Sequence, residues 1–323
     1  STVLSGLDDL PESLLLWRGL LQWMGGIGII VVAMVFLPEL RVGGMQIFRS
    51  EGFDTFGKIL PRATEIASRI AVVYFILTAA CGIAYFALGM SGFDAIVHAM
   101  TTIATGGFAN YDASFGAFGA PVEYAATLFM ALAALPFVRF VQLTTAGAKP
   151  LISDAQVRGF FVTAASLVAL LFVWQVAVYG MAGEEALRKT LFNGMSILTG
   201  TGYASADYMQ WGAMPVAVIF FAGLIGGCAG STACSIKIFR YQLLFATIRT
   251  QIRRIRAPHG VFTPRYQGRP VSDDVLSSVM SFFVFFIVTL GLLSVGLSMT
   301  GLDFVTALSG AATALGNIGP GLG

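Results

Sequence analysis

Three short segments recur along the chain, and each runs from small and apolar residues into a glycine-rich turn. They are residues 95–108 (AIVHAMTTIATGGF), 190–203 (TLFNGMSILTGTGY) and 307–320 (ALSGAATALGNIGP). Each is too short and too rich in Gly, Ser and Thr to cross a bilayer, yet each is flanked by stretches that are long enough. A helix that ends in an irregular turn within a membrane leaves carbonyl groups free, and these must face water or an ion. The pattern therefore predicts three re-entrant pore helices that lead into an ion pathway.

The composition indicates that the chain lies in a membrane. Apolar residues make up 56% of it and charged residues only 11%, whereas soluble domains carry about 25% charged residues. The apolar runs are long and do not alternate, so they favour helices over a barrel. We therefore predict an all-α polytopic membrane protein with six spans, at residues 14–37, 70–90, 123–141, 159–181, 213–239 and 275–299.

The distribution of Lys and Arg predicts how these spans are oriented. All but three of the 19 Lys and Arg residues fall in three alternate connections, at residues 38–69, 139–158 and 237–274. Because cytoplasmic loops carry such an excess of positive charge, these connections are predicted to lie inside. All three re-entrant segments then enter the membrane from the outer face.

The order of these elements indicates an internal repeat of span, pore helix, filter turn and span. Four such units around a pseudo-fourfold axis would enclose a pore, with the first and last repeats incomplete in this chain. Residues 1–69 would form the second half of repeat one, a span and a cytoplasmic segment, and residues 70–158 would form repeat two. Residues 159–274 would form repeat three, with a broken second span and a basic cytoplasmic loop, and residues 275–323 the first half of repeat four. Because the chain opens abruptly with Ser1, we expect that an amino-terminal part is missing, and the carboxyl end also stops inside a motif.

The three glycine-rich turns are predicted to form a selectivity filter. Rings of backbone carbonyls can replace the water shell of a potassium ion, and glycine adopts the necessary backbone angles at little cost. The central glycines would be Gly107, Gly202 and Gly319. The predicted ion-binding residues are Ala104, Thr105, Gly106, Gly107, Thr199, Gly200, Thr201, Gly202, Gly316, Asn317, Ile318 and Gly319. Alternatively, these glycines would only allow tight helix packing, but three motifs in phase on one side of the membrane favour a filter.

Several polar side chains of the predicted pore helices are expected to form hydrogen bonds that hold the filter in place. They are Thr101, Thr102, Ser196 and Thr313. His98 lies in the first pore helix, at the place of Asn193 and Gly310 in the other two. A structural hydrogen bond is the predicted role of His98, and proton transport is the alternative.

The fifth predicted span contains a second glycine-rich stretch, GLIGGCAGSTACSIK at residues 223–237. Four glycines and several hydroxyl residues weaken a helix and invite a break. The stretch lies on the cytoplasmic side of repeat three, where it could hang under the filter as a gate. The predicted gate residues are Gly223, Gly226, Gly227, Gly230, Ser231, Thr232 and Lys237. The alternative is a helix packing face, since Gly226 and Gly230 fit a small-xxx-small pattern.

Together these motifs resemble the Trk/Ktr/HKT superfamily of potassium transporters, most closely its bacterial TrkH-type subunits. The stretches that carry the resemblance are TVLSGLDDLP and LLQWMGGIGI near the start, then IATGGF, LTGTGY, LIGGCAGSTACSIKIFR and ALGNIGPG. The resemblance implies four pseudo-repeats around one potassium pathway, with one central filter glycine in each. The first of these glycines would fall just before Ser1, and the family's final span is also absent from this chain. Residues 223–236 would correspond to the family's intramembrane gating loop.

The resemblance also implies a function and partners. It implies potassium uptake by a multi-pass protein of the bacterial inner membrane, assembled as a homodimer in the lipid bilayer. It further implies a cytosolic nucleotide-binding ring of the TrkA type that regulates opening. Nucleotide would bind that partner, so no cofactor is expected on this chain, and potassium would be its substrate. No nucleic-acid partner is expected.

Two other classes of function are weighed against a potassium pathway. A secondary transporter of a small solute would use broken helices at the midplane of the membrane. It predicts inverted repeats and acids or polar ligands within the spans, whereas this chain has repeats of one direction and no acid in the middle of any predicted span. An enzyme is not expected, because no cluster of nucleophile, base or metal ligands is evident.

Overall fold

The chain folds into helices joined by short connections. The structure is a computed structural model, and it describes residues 4–35, 42–45, 63–181 and 183–322. In chain order, the α-helices of these residues are α1 (Glu12–Val35), α2 (Ala63–Ala87), α3 (Gly92–Ile103), α4 (Ala120–Ala133), α5 (Phe137–Ala146), α6 (Lys149–Ser153), α7 (Ala155–Tyr179), α8 (Gly183–Thr199), α9 (Ala213–Ile225), α10 (Ile238–Arg256), α11 (Asp273–Ser298) and α12 (Phe304–Gly316). Short 3-10 turns lie at Leu7–Asp9, Val42–Gly44, Ser114–Ala117 and Tyr208–Trp211, and a hairpin pairs β1 (Arg265–Tyr266) with β2 (Arg269–Pro270). Four residues that contribute to the predicted inner charge lie outside the described residues: Arg41, Arg49, Lys58 and Arg62.

Four of the described helices, α1, α2, α7 and α11, are long and apolar enough to cross a membrane. They confirm the first, second, fourth and sixth predicted spans. In the most apolar stretch of each helix, only 17% to 28% is buried inside the protein. Most of these side chains therefore face outward, where lipid would surround them. All four helices begin before the predicted spans, and the proposed unit boundaries at residues 70, 159 and 275 fall inside α2, α7 and α11.

The third and fifth predicted spans are both interrupted. The prediction of one continuous third span was wrong, because α4 and α5 meet at 83° across residues 134–136. Pro136 explains this bend, since proline lacks the N–H that a helix requires and disfavours helical angles in the residue before it. The fifth span breaks where the glycine-rich stretch predicts it, because α9 ends at Ile225 and α10 begins only at Ile238.

Three pore helices occupy equivalent places among these spans. The first, α3, packs against α1, α2 and α4, and the second, α8, packs against α4, α7 and α9. The third, α12, packs against α9 and α11. In terms of the predicted units, each of these helices contacts the span before it in its own unit and the second span of the preceding unit. This regular order of neighbours agrees with the predicted repeat of span, pore helix and span.

Local sequence sets where the pore helices begin. The Ser91 hydroxyl accepts a hydrogen bond from the backbone N–H of Asp94 at 3.0 Å, which caps α3. The Asp303 carboxylate accepts from the N–H groups of Val305 and Thr306 at 2.9 and 3.2 Å, which caps α12. Such caps satisfy N–H groups that have no partner inside the helix. These caps set the start of α3 and of α12.

Candidate ion-conduction site

The three glycine-rich turns share positive φ at two equivalent positions. In each turn, φ is positive at the central glycine and again two residues before it. The values are 47° and 77° at Thr105 and Gly107, 72° and 83° at Gly200 and Gly202, and 53° and 105° at Asn317 and Gly319. Positive φ is uncommon outside glycine, and it is unfavourable for a β-branched residue such as Thr105. The turns are therefore one structural element, even where their sequences differ.

A backbone hydrogen bond joins each turn to its own pore helix in the same way. The N–H group just before the central glycine donates to a helix carbonyl five residues back. The three bonds run from Gly106 to Thr101, from Thr201 to Ser196 and from Ile318 to Thr313, at 2.9, 2.8 and 3.0 Å. The hydroxyl residues that the sequence singles out therefore occupy equivalent positions, and their carbonyls supply the common contact.

The hydroxyl groups of these residues differ in what they bind. Thr101 and Thr102 hydrogen-bond to the Tyr203 hydroxyl, and the Ser196 hydroxyl donates to the Tyr203 carbonyl at 2.7 Å. Tyr203 directly follows Gly202, so these three residues form hydrogen bonds to the segment after the second turn. Their role in holding a filter stays a prediction. The Thr313 hydroxyl instead donates to Gly310 within its own helix at 3.1 Å, so that part of the prediction was wrong.

Consecutive turns lie side by side in chain order. A Cβ atom placed on Gly107 would overlap the carbonyl oxygen of Thr201, and one on Gly202 would overlap the carbonyl oxygen of Ile318. Gly107 and Gly202 therefore each lie against the carbonyl that precedes the central glycine of the next turn. These glycines approach a neighbouring turn and not a helix, which disfavours the reading of them as helix-packing residues.

The equivalent carbonyl of the first turn contacts a side chain that sequence reasoning missed. Gln22 of α1 donates its Nε2 to the Gly106 carbonyl at 2.6 Å, and its Oε1 accepts from the N–H of Phe108 at 3.0 Å. The side-chain amide of Gln22 thus bonds the residues on both sides of Gly107. Gln22 lies in a mostly apolar span that also holds Arg18, and such a polar residue within a span was the signal that could have identified it.

A cavity of about 610 Å³ lies beside the turns. From the predicted filter, its lining residues are Ala104, Thr105, Gly106, Gly316, Asn317, Ile318 and Gly319. Gln22 and residues of the broken fifth span, among them Thr232 and Lys237, complete the wall. The second turn, residues 199–202, is not part of this wall, and the hydroxyls of Thr199 and Thr201 hydrogen-bond to each other at 2.8 Å.

The break in the fifth span is a loop, residues 226–237, that contacts the carboxyl end of every described pore helix. The Thr232 hydroxyl donates to the carbonyl of Ile103 at 3.0 Å. The N–H of Cys234 donates to Thr199 at 3.2 Å, and the N–H of Ser235 donates to Gly316 at 3.0 Å. Carbonyls at a helix end have no partner inside the helix. The loop therefore lies directly against the ends of α3, α8 and α12.

The predicted gate residues form this loop and its entry. Gly226 and Gly230 have φ of 80° and 73°, so neither is helical and the alternative of a helix packing face is wrong for this pair. A Cβ on Gly223, in the last turn of α9, would contact Ile318 at 3.0 Å, and one on Gly227 would contact the Ala134 carbonyl at 3.1 Å. The Ser231 hydroxyl donates to Cys228 at 2.6 Å. Lys237 closes the loop with φ of 78° and donates its Nζ to the Ala233 carbonyl.

The bend between α4 and α5 holds the other side of the loop. The N–H of Phe137 donates to the Gly230 carbonyl at 2.9 Å, and the N–H of Cys228 donates to the Ala134 carbonyl at 3.0 Å. Gln156 of α7 accepts from the N–H of Ala229 at 2.8 Å. The broken third span and the broken fifth span thus satisfy each other's backbone groups. Sequence reasoning missed these partners, although Pro136 marks the bend.

Each pore helix also binds the segment that follows its turn. The N–H of the third residue after the central glycine donates to a buried side chain of the helix. The bonds run from Asn110 to Nε2 of His98, from Ser205 to Oδ1 of Asn193 and from Leu322 to Oγ of Ser309, at 3.3, 3.1 and 2.9 Å. The prediction of a structural hydrogen bond for His98 is confirmed.

An ion pair joins α8 to α4 near the second turn. Glu123 accepts from Arg188 at 2.6 Å and from Lys189 at 2.9 Å, and its side chain is only 2% exposed. Lys189 also donates to the Ser205 carbonyl at 2.8 Å. These cations are two of the three that the charge argument leaves outside the inner loops. Glu123 therefore ties α8, and through Lys189 the segment after the second turn, to α4.

Comparisons with known proteins agree with this architecture. The family model TrkH, described as a cation transport protein, matches residues 1–323. The potassium uptake protein TrkI of Halomonas elongata is 44% identical over 325 residues, which are 100% of this chain and 66% of that protein. The potassium uptake protein TrkH of Escherichia coli K12 is 34% identical over 329 residues, 100% of this chain and 68% of that protein. The chain thus spans about two thirds of the length of these relatives.

A solved structure has the same fold. The crystal structure of the potassium transporter TrkH from Vibrio parahaemolyticus matches with a TM-score of 0.89 and 33% identity. The match covers 100% of this chain and 67% of that one. The predicted all-α membrane fold is confirmed by this match.

Proposed function

This chain belongs to the TrkH family of cation transport proteins, and we propose that it takes up potassium across the bacterial inner membrane, where it is a multi-pass protein. The relatives that match it are named as potassium uptake proteins. We assign the ion pathway to the ring of glycine-rich turns. The predicted filter residues, 104–107, 199–202 and 316–319, would bind dehydrated potassium through their carbonyls.

The observation that supports this proposal most is that the three turns have the same φ pattern and that neighbouring turns touch. Each carries positive φ at the same two positions, and adjacent turns meet through a glycine and a carbonyl. Several strands that present carbonyls around one axis can replace the water shell of an ion. The negative ends of three helices nearby would favour a cation in the same place. We retain the four units at residues 1–69, 70–158, 159–274 and 275–323 as the organisation of this pathway.

We propose that the loop at residues 226–237 is the gate below the filter. The cavity of about 610 Å³ lies between the first and third turns and this loop. This volume is many times what a single water requires, so an ion in the cavity could regain water. An ion that leaves the filter toward the cytoplasm would then meet the loop, which must move or deform to let it pass.

The assembly that we propose contains two copies of this protein and a cytosolic nucleotide-binding ring of the TrkA type. The relatives are named as members of a Trk system, which supports a partner of this kind. The last turn of α10 exposes Arg253, Arg254 and Arg256 on the predicted cytoplasmic side, where a partner could bind them. Nucleotide would act through the ring, and this chain would bind potassium alone.

Uptake of radioactive rubidium into proteoliposomes tests the function. The full-length gene product would be reconstituted with and without its nucleotide-binding partner, and potassium or sodium would be added as competitor. We expect strong inhibition by potassium and little by sodium. Equal inhibition by both ions would contradict a selective potassium pathway. Absence of uptake with the partner and nucleotide present would contradict the transport proposal as a whole.

A further inference from the structure

We propose that His98, Asn193 and Ser309 are positioning residues that set the ion selectivity of the filter. This inference rests on the proposed function of the turns. The three side chains lie in three different pore helices, and each accepts a hydrogen bond from the segment that leaves the filter. Their exposed fractions are 0%, 0% and 2%, so water does not compete for these bonds.

The three acceptors are chemically different but geometrically equivalent. An imidazole nitrogen, an amide oxygen and a hydroxyl oxygen each meet the N–H three residues after the central glycine. His98 and Asn193 lie nine residues before that glycine, and Ser309 lies ten before it, because Gly310 occupies the equivalent place in the third helix. The three repeats therefore share a hydrogen-bond acceptor at the same position, and the residue type that provides it differs.

Other hydrogen bonds fix the orientation of these acceptors. Nδ1 of His98 lies 2.8 Å from the carbonyl of Asp94, which can only accept, so Nε2 carries no proton and accepts from Asn110. Nδ2 of Asn193 donates to the carbonyl of Lys189 at 2.8 Å, which leaves Oδ1 for Ser205. These assignments of tautomer and amide orientation follow from the partners.

The hydroxyl of Ser309 uses both of its functions on one residue. It accepts from the N–H of Leu322 at 2.9 Å and donates to the carbonyl of Leu322 at 2.8 Å. All three side chains therefore have hydrogen-bond partners that restrain them, as a rigid support requires.

These bonds act on the filter because each central glycine is held between two fixed points. One residue before it, the N–H bonds to a carbonyl of the pore helix, and three residues after it, the N–H bonds to the acceptor side chain. Both points belong to the same helix. Loss of the second bond frees the carbonyls around the glycine to move, and a looser ring of carbonyls discriminates less between ions of different size.

The test compares His98→Leu, which cannot accept, with His98→Asn, the residue that performs this role in the second pore helix. Rubidium uptake by the full-length protein would be measured with potassium or sodium as competitor. We expect His98→Leu to lower the potassium-over-sodium preference by about tenfold, the factor that one buried hydrogen bond contributes. We expect His98→Asn to restore most of the preference, and thermal melting would show that both variants are folded.

Ser309→Ala and Ser309→Thr form a second pair, which decides the matter if His98→Leu does not fold. The alanine variant loses the acceptor with little change in volume, and threonine keeps it. An unchanged preference in folded His98→Leu and in Ser309→Ala would overturn the inference. Equal losses in His98→Leu and His98→Asn would also overturn it, because side-chain shape and not the acceptor would then matter. A wild-type protein without any preference would instead contradict the proposed function.

Discussion

Gly107 lies so close to Thr201 that a Cβ atom on the glycine would overlap the threonine's carbonyl oxygen. The contact joins two glycine-rich turns that are far apart in sequence, and Gly202 repeats it against Ile318. Backbone angles also restrict these positions, because φ of 77° and 83° favours glycine. Glycine is therefore required at both positions by its conformation and by its neighbour.

Replacing Gly107 or Gly202 with serine is expected to weaken the preference for potassium over sodium. The added Cβ must displace a carbonyl of the next turn, and unfavourable backbone angles cost about 1–3 kcal/mol. If the filter absorbs this strain, the preference falls by between about fivefold and a hundredfold. Competition by the two ions for rubidium uptake measures it.

Gly180→Ser is the matched control for these filter variants. Gly180 has φ of 61°, but nothing lies within 4 Å of a Cβ placed on it. This variant carries a similar backbone strain without touching the filter, so its ion preference should equal that of the wild type. An unchanged preference in both filter variants would show that the turns do not select the ion.

Thr232→Val is expected to increase ion flux without altering selectivity. The Thr232 hydroxyl bonds the carbonyls of Ile103 and Ala133 at 3.0 and 3.1 Å, and both contacts hold the loop in place. Loss of a bond worth about 1 kcal/mol should raise the rate of rubidium uptake several-fold. Thr247→Val is the control, because that hydroxyl donates only within α10, to Leu243 at 2.8 Å. Lower or equal flux in a folded Thr232→Val protein would argue against a gate.

Glu123→Gln is expected to destabilise the protein strongly. The substitution leaves Arg188 and Lys189 without their buried countercharge, and such a loss costs about 3 kcal/mol. Glu184→Gln is the control, because Glu184 also pairs with Arg188 but is 62% exposed, and exposed pairs contribute less than about 1 kcal/mol. Thermal unfolding in detergent compares the two. Similar melting temperatures for both variants would contradict the structural role of Glu123.

The cap of α12 should make stability depend on acidity. Hydrogen bonds from the side chain and backbone of Thr306 hold the pKa of Asp303 below its ordinary value. The ionised carboxylate therefore stabilises the folded state above the unfolded pKa of about 4, and this contribution is lost as pH falls through the lower folded value. Asp303→Ala should have a lower melting temperature than the wild type at neutral pH. The difference between the two melting temperatures should shrink as pH falls to about 3, roughly one unit below the unfolded pKa. A difference that stays constant with pH would refute this linkage.

The main elements of the site could be predicted from sequence because their signals are local. Short Gly- and Thr-rich segments between long apolar runs mark the pore helices, and the central glycines Gly107, Gly202 and Gly319 have the positive φ that glycine permits. The four glycines near residue 226 mark the break in the fifth span. The bend at Pro136 was also readable, since proline disfavours a continuous helix.

The remaining contacts depend on packing between distant parts of the chain. Threonine normally avoids the φ of 47° that Thr105 adopts. Only Gly200 and Asn317, at the same place in the other two turns, indicate it. Gln22 reaches Gly106 over 84 residues, and Gln156 reaches the loop over 73. Ser309 takes the role of an acceptor one position away from its counterparts, so alignment of the repeats alone does not reveal it.

The bend between α4 and α5 and the loop at residues 226–237 share two backbone hydrogen bonds, at Phe137 with Gly230 and at Cys228 with Ala134. If the loop opens as proposed, the N–H of Phe137 and the carbonyl of Ala134 lose their partners. The helix break at Pro136 provides no other backbone group to bond them. Each bare group costs about 1–3 kcal/mol unless water reaches it. Opening of the loop would therefore require water to reach the helix break at Pro136, and the ease with which water enters there would affect how readily the proposed pathway conducts.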